Sequence, residues 1–166
     1  MPVGNNLTSL TSIAAALLVP AFRSRGFRHF PSANDKGGDV HGALSFPIGV
    51  FRRESHHVID VVEPHFHGKN KFSINAGKIP LSGLTTRLGN FPAEDCLITW
   101  GDCWYELYAC PVLRMPFASR GLWWRKPVAQ DFVEVVETVI RLIPEIELAL
   151  ERGVVSRHIR RVRIKR

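Results

Sequence analysis

Acidic residues are missing from the C-terminal end of this chain. From Arg152 to Arg166 there are seven basic side chains and no Asp or Glu, whereas residues 1–151 hold 15 of each sign. The formal net charge of +7 over 166 residues is therefore the property of one segment. A neutral body with a basic appendage points to contact with something acidic: nucleic acid, a lipid surface or an acidic protein.

Cysteine is scarce as well. Cys96, Cys103 and Cys110 are odd in number and evenly spaced, which matches neither a zinc knuckle nor a redox pair. They read as small buried hydrophobes in a reduced chain. Long hydrophobic runs are absent. The apolar stretch Ile13–Phe22 is interrupted by Pro20 and is too short to cross a bilayer, and no basic residue precedes it as a secretory leader requires. The expectation is a soluble cytoplasmic protein with no transmembrane segment. Gly37-Gly38 lacks the Lys of a phosphate-binding loop, and no Ser sits in a strand–turn–helix nucleophile motif. No internal repeat is visible.

What the chain does have is core material. Hydrophobic residues make up 45% of it, including ten Phe and four Trp, which argues against a disordered body. Leu7, Leu10, Ile13, Ala14, Leu17, Leu18, Ala21 and Phe22 recur at helical spacing. Thr8 or Ser9 is placed to cap that helix, Gly26 to end it, and Pro20 to kink or break it. Strands are predicted at Ile48–Arg53, His57–Phe66 and Lys71–Ile79, with a hairpin turn at Gly68-Lys69-Asn70. In the last strand, Phe72, Ile74 and Ala76 alternate with Lys71, Ser73 and Asn75. Residues 80–101 read as irregular. Cys103–Leu113 and Gly121–Arg125 are further strand candidates, and Gln130–Arg152 is one long amphipathic helix bent at Pro144 and ended by Gly153. The connections are too short for helical crossovers. The fold class is therefore α+β, an antiparallel sheet with N-terminal and C-terminal helices packed on one face. Residues 1–153 form a single domain and residues 154–166 a basic C-terminal segment. Leu17, Phe22, Phe72, Ile74, Val136 and Ile140 are expected in the core.

Four stretches carry a resemblance: PAFRSRGF at 20–27, FSINAG at 72–77, RLG at 87–89 followed by Asp102-Cys103-Trp104, and LIPEIE at 142–147. Their order resembles the uncharacterised bacterial proteins catalogued as domain of unknown function 4304, over residues 7–152. The resemblance implies a small α+β fold and brings no substrate, cofactor or catalytic residue. The basic segment lies outside it.

His56, His57, His65 and His67 fall within twelve residues, with Asp60 and Glu63 between them. Alternate residues of a strand share a face, so Glu63, His65 and His67 form a candidate set for zinc or another transition metal. His57 lies too far along an extended strand to join them. The plainer reading is a polar solvent face near a hairpin end. Trp100, Trp104, Trp123 and Trp124 interleave with Arg125 and Lys126, a pattern that stacks nucleic-acid bases or fills a core. Asp95, Asp102 and Glu106 have no spacing that defines a shared acid–base site.

The strongest candidate is the basic segment: Arg157, Arg160, Arg161, Arg163, Lys165 and Arg166. As a flexible arm it would bind phosphates without reading sequence. As a strand, with Val162 and Ile164 alternating against bases, it would close a sheet edge and guard it against aggregation. The two readings stand even. The favoured function is a non-enzymatic binding or interaction module that contacts an acidic partner, nucleic acid or another polyanion, through this segment. The alternative is a metal-dependent or acid–base hydrolase using the histidine-bearing strand with Asp60, Glu63 or Asp102.

Overall fold

The computed structural model describes residues 9–31, 47–67, 69–86, 89–110, 112–113, 115–119 and 127–164. Helix α1 spans Leu10–Arg23. Ser9 starts it: its side chain accepts from the Ser12 amide at 3.2 Å, and the Ser12 hydroxyl oxygen accepts the Ser9 amide at 3.3 Å. This reciprocal box satisfies two N–H groups that have no partner inside the helix. Pro20 does not break α1. The bond it forfeits belongs to the Ala16 carbonyl, and Ala16 and Pro20 both lie on the exposed side of the helix, where solvent can stand in for the lost donor. Gly26 follows at φ 81°, a left-handed conformation that turns the chain into the sheet.

Among the described residues nine strands follow in chain order: β1 (Arg28–Phe30), β2 (Val50–Ser55), β3 (Val58–Phe66), β4 (Lys71–Pro80), β5 (Leu84–Thr86), β6 (Gly89–Phe91), β7 (Cys103–Leu107), β8 (Phe117–Ala118) and β9 (Ile159–Arg163). Helix α2 (Ala129–Arg152) lies between β8 and β9. The main sheet has the order β1-β2-β3-β4-β7-β9, with β8 also on β4, and every pair is antiparallel. The α+β architecture read from the sequence is therefore present. Pro144 leaves α2 as one element, again on an exposed position. Gly153 ends α2 at φ 69°, its amide donating to Ala149 at 3.0 Å.

Both helices cover one face of the sheet. Leu10, Ile13, Leu18 and Phe22 from α1 and Phe132, Val136, Val139, Ile143 and Ile146 from α2 pack with Phe51, Val62, Phe72, Ile74 and Leu107. Phe22 stacks on Phe51 with ring centroids 4.5 Å apart. Of the expected core residues, Phe22, Phe72, Ile74 and Val136 are fully buried. Leu17 and Ile140 are half-buried at its margin. An ionic cluster closes one end of this layer. Arg53 lies under the Phe27 ring, donates to Asp60 at 3.0 Å and to Glu147 at 3.1 Å, and Arg25 also pairs with Glu147. The turn after α1, β2, β3 and α2 are thereby pinned together.

The stretch 80–101, expected to be irregular, instead builds a second layer. The β5–β6 hairpin and two 3-10 turns, Ala93–Asp95 and Ile98–Trp100, cover the opposite sheet face with Val61, Ile79, Ala93, Cys96 and Ile98 as their core. Ile98 sits directly over Gly77: a Cβ on that glycine would stand 3.1 Å from two Ile98 carbons. The strand expected over Cys103–Leu113 ends at Leu107, and Val112 and Leu113 lie exposed beyond it. The proposed strand at Gly121–Arg125 lies outside the described residues, as do Gly37-Gly38.

The basic segment is not an appendage in its central part. Ile159–Arg163 pairs with β7 in the register Leu107↔Ile159 to Cys103↔Arg163, so the boundary drawn at 153/154 divides one sheet. Ile159 is buried in the helix-face core, which a free arm could not provide.

Candidate functional site

Along β3 the even residues Val62 and Phe66 serve the helix-face core, so Glu63, His65 and His67 face the other way. Pro64 is tolerated between them because β2 pairs with β3 only as far as Val62, leaving that edge of β3 free of ladder demands. On β4, Ser73 stands opposite His65 and Asn75 opposite Glu63. The next strands extend this row: Asn75 pairs with Glu106, and Glu106 with Arg160. One transverse row, Glu63–Asn75–Glu106–Arg160, thus crosses β3, β4, β7 and β9 and joins the histidine strand to the basic edge.

The expectation of a solvent face is overturned here. Glu63 is 1% exposed, Ser73 1%, His65 6% and Asn75 7%. They are paired as buried polar groups must be. Glu63 Oε1 accepts the Ile98 amide at 3.0 Å, which locks the second layer onto the sheet. Its Oε2 lies 3.4 Å from His65 Nε2, and that nitrogen lies 3.0 Å from Asn75 Nδ2. With Asn75 Nδ2 donating, His65 Nε2 is an acceptor, so the 3.4 Å approach to Glu63 is then a close contact rather than a hydrogen bond. His67 is exposed and turns to Ser73, with Nε2 and Oγ 2.8 Å apart. Partial desolvation, with His65 and Lys71 nearby, holds the His67 imidazole below its usual value of 6.5.

The structure therefore brings Glu63 and His65 together and sends His67 to a different partner. Among the described residues no group of three or more His, Cys, Asp or Glu converges as a metal set. His57 sits in the turn between β2 and β3, where its carbonyl accepts the Leu81 amide, and Asp60 belongs to the Arg53 cluster on the helix face. Asp95 lies in a 3-10 turn and Asp102 just before β7. Burial pushes the Cys96 thiol up, as suits an inert core cysteine.

At the other end of the row, Trp104 donates its indole N–H to Glu106 at 3.3 Å, and Arg160 approaches Glu106 at 3.8 Å. Arg161 and Arg163 alternate onto the helix side of β9 and are exposed. Arg161 donates to Cys103 Sγ at 3.2 Å and lies 5.9 Å from the Tyr105 ring centroid. No carboxylate among the described residues pairs with Arg157, Arg161 or Arg163. Lys165, Arg166 and the 123–126 cluster of Trp and basic residues lie outside the described residues.

Sequence reasoning missed what holds the basic strand in place. Glu145 on α2 accepts from Ser156 and from the His158 amide at 3.3 Å, and it pairs with His158 Nδ1 at 2.8 Å. Burial works against its charge, yet these donors win and keep the carboxyl below its usual 4.5. The helical stripe gave no signal of this, because Glu145 sits beside the apolar face and its partners follow the helix end.

Comparison with models of protein families, with curated proteins and with solved structures finds no match to this chain. Among the described residues no helix is long and apolar enough to cross a membrane.

Proposed function

We propose that this protein is a non-enzymatic binding module that contacts an acidic partner, nucleic acid or another polyanion, along β9. The observation that carries this reading is the position of that strand. β9 is the last strand of the sheet, and its Arg161 and Arg163 are exposed with no carboxylate partner among the described residues. A strand held by β7 and by the Glu145 clamp presents these cations at little further ordering cost, which favours affinity. Arg157 in the preceding turn extends the patch, and Lys165 and Arg166 continue the same charge in sequence. Contact with phosphates through such residues positions a polyanion without reading its sequence.

Deletion of residues 157–166 is a poor test, since it removes buried Ile159 and bares the edge of β7. Substitution is better. An Arg161→Gln/Arg163→Gln variant should keep the wild-type melting temperature within a degree or two. Its affinity for a fluorescent single-stranded oligonucleotide or heparin at low salt should fall roughly tenfold, and wild-type binding should weaken steeply with added salt. Full-length protein that ignores both polyanions at low salt would remove this reading.

The alternative, a metal-dependent or acid–base hydrolase, is supported by the buried Glu63–His65 contact. Its test is zinc-dependent stabilisation that disappears in His65→Ala/His67→Ala.

A further inference from the structure

The opposite end of the sheet carries a different arrangement. β1 is the other edge strand, and its Arg28 stands directly across from Arg52 of β2. Like charges in directly opposed positions repel, and folded sheets normally avoid them. Neither guanidinium has a carboxylate within 4.0 Å among the described residues, although Glu63, Glu94 and Asp95 act on Arg52 from farther away. Both line a cavity of about 630 Å³ between β1, β2 and the 3-10 turn at Ala93–Asp95, a size that holds an ordinary small organic ligand.

The cavity wall is divided by chemistry. Arg52 is half-buried and anchored from behind, donating to the Ala93 carbonyl at 2.9 Å and to the Cys96 carbonyl at 3.4 Å. Its rotamer is therefore set before any ligand arrives. Phe30 lies beside it, 5.7 Å from guanidinium carbon to ring centroid, and remains 46% exposed. Ile59 and the exposed Leu81 complete an apolar side. Glu54 and Glu94 also line the cavity, so a bulky polyanion would meet repulsion there.

We propose that this cavity binds a small organic oxyanion, a carboxylate or phosphate ester with a flat apolar body. The oxyanion sits between Arg28 and Arg52, and planar guanidinium groups suit such an ion. The apolar body lies against Phe30, Ile59 and Leu81. This site is independent of the β9 surface and answers to different residues.

Titration calorimetry with benzoate, phenyl phosphate and neutral benzyl alcohol tests it. The expected result is saturable binding of at least one of the two anions. The tighter of the two identifies the oxyanion, and benzyl alcohol binds at least fivefold more weakly. Arg28→Gln should weaken that binding at least fivefold and leave the ligand-free melting temperature unchanged, because Arg28 is exposed. Arg161→Gln/Arg163→Gln should leave it unchanged. The proposal is overturned if neither anion binds, if benzyl alcohol binds as well, if Arg28→Gln weakens binding less than fivefold, or if the β9 variant abolishes it. Arg28→Gln is the informative variant because Arg52 also anchors two backbone carbonyls.

Discussion

The two faces of the sheet are covered by different means and to different extents. The helix face is closed by two amphipathic helices and an apolar core with Phe51, Phe72 and Ile74 at its centre. The second face is closed by a hairpin and two 3-10 turns over a smaller core, next to the buried polar row of Glu63, His65, Ser73 and Asn75. Apolar packing tolerates many arrangements, whereas buried polar groups accept only those that satisfy every partner. The helix face should therefore dominate stability, and the second face should be the more sensitive to single-atom changes.

The largest effect should come from Phe72→Ala. Phe72 is fully buried and meets the rings of Phe66 at 5.4 Å and Phe117 at 6.0 Å. Its truncation should cost about 3–5 kcal/mol in urea unfolding. A loss below 1 kcal/mol would mean that the helix face does not lead. Glu63→Ala probes the second face. It strands the buried Ile98 amide and opens the layer, for a cost of about 1–3 kcal/mol. The near-isosteric Glu63→Gln retains an acceptor and should recover part of that loss; equal loss in both would point to charge rather than to the amide bond.

Glu145→Gln tests the clamp between the helix layer and β9. Its folded carboxyl titrates below the unfolded value near 4.5. The unfolded chain therefore binds more protons in that window. The stabilisation is complete above pH 4.5 and fades as pH falls through the folded value. After allowance for solvent screening of this partly exposed group, the substitution should cost about 1 kcal/mol at pH 7 and flatten the acid limb of the stability profile. The smallest effect should belong to His67→Gln. With His67 held below 6.5, the folded state disfavours its protonation, so stability should decline slightly as pH drops below 6.5. The variant should lack that slope in thermal melts between pH 7 and 5.

The helix face was largely legible. Alternation at Phe72, Ile74 and Ala76 and the stripes of α1 and α2 are local patterns, and each identifies its buried side without knowledge of its neighbour. The second face was not. Ser73, Asn75, Glu63 and His65 have the composition of a solvated face, and only the covering layer built by 80–101 makes them interior. That layer is hard to read because its strands are three residues long and its turns have no periodicity. Gly77 was a signal that could have been used: a glycine in mid-strand marks a close approach, here by Ile98.

The sequence by itself determined the fold class, both helices, three of the central strands and the confinement of net charge to the C-terminal segment. These are properties of local spacing and composition, which survive any arrangement of the parts. Whether that segment is an arm or a strand was open, because alternating bases and apolar residues satisfy both. The tertiary structure decided it through contacts that no local pattern contains: β7 offers a free edge, Ile159 finds a core, and Glu145 binds the turn. The same holds for the row from Glu63 to Arg160 and for Arg28 opposite Arg52, since cross-strand register is a relation between distant residues that hydrogen bonding sets only when the sheet forms.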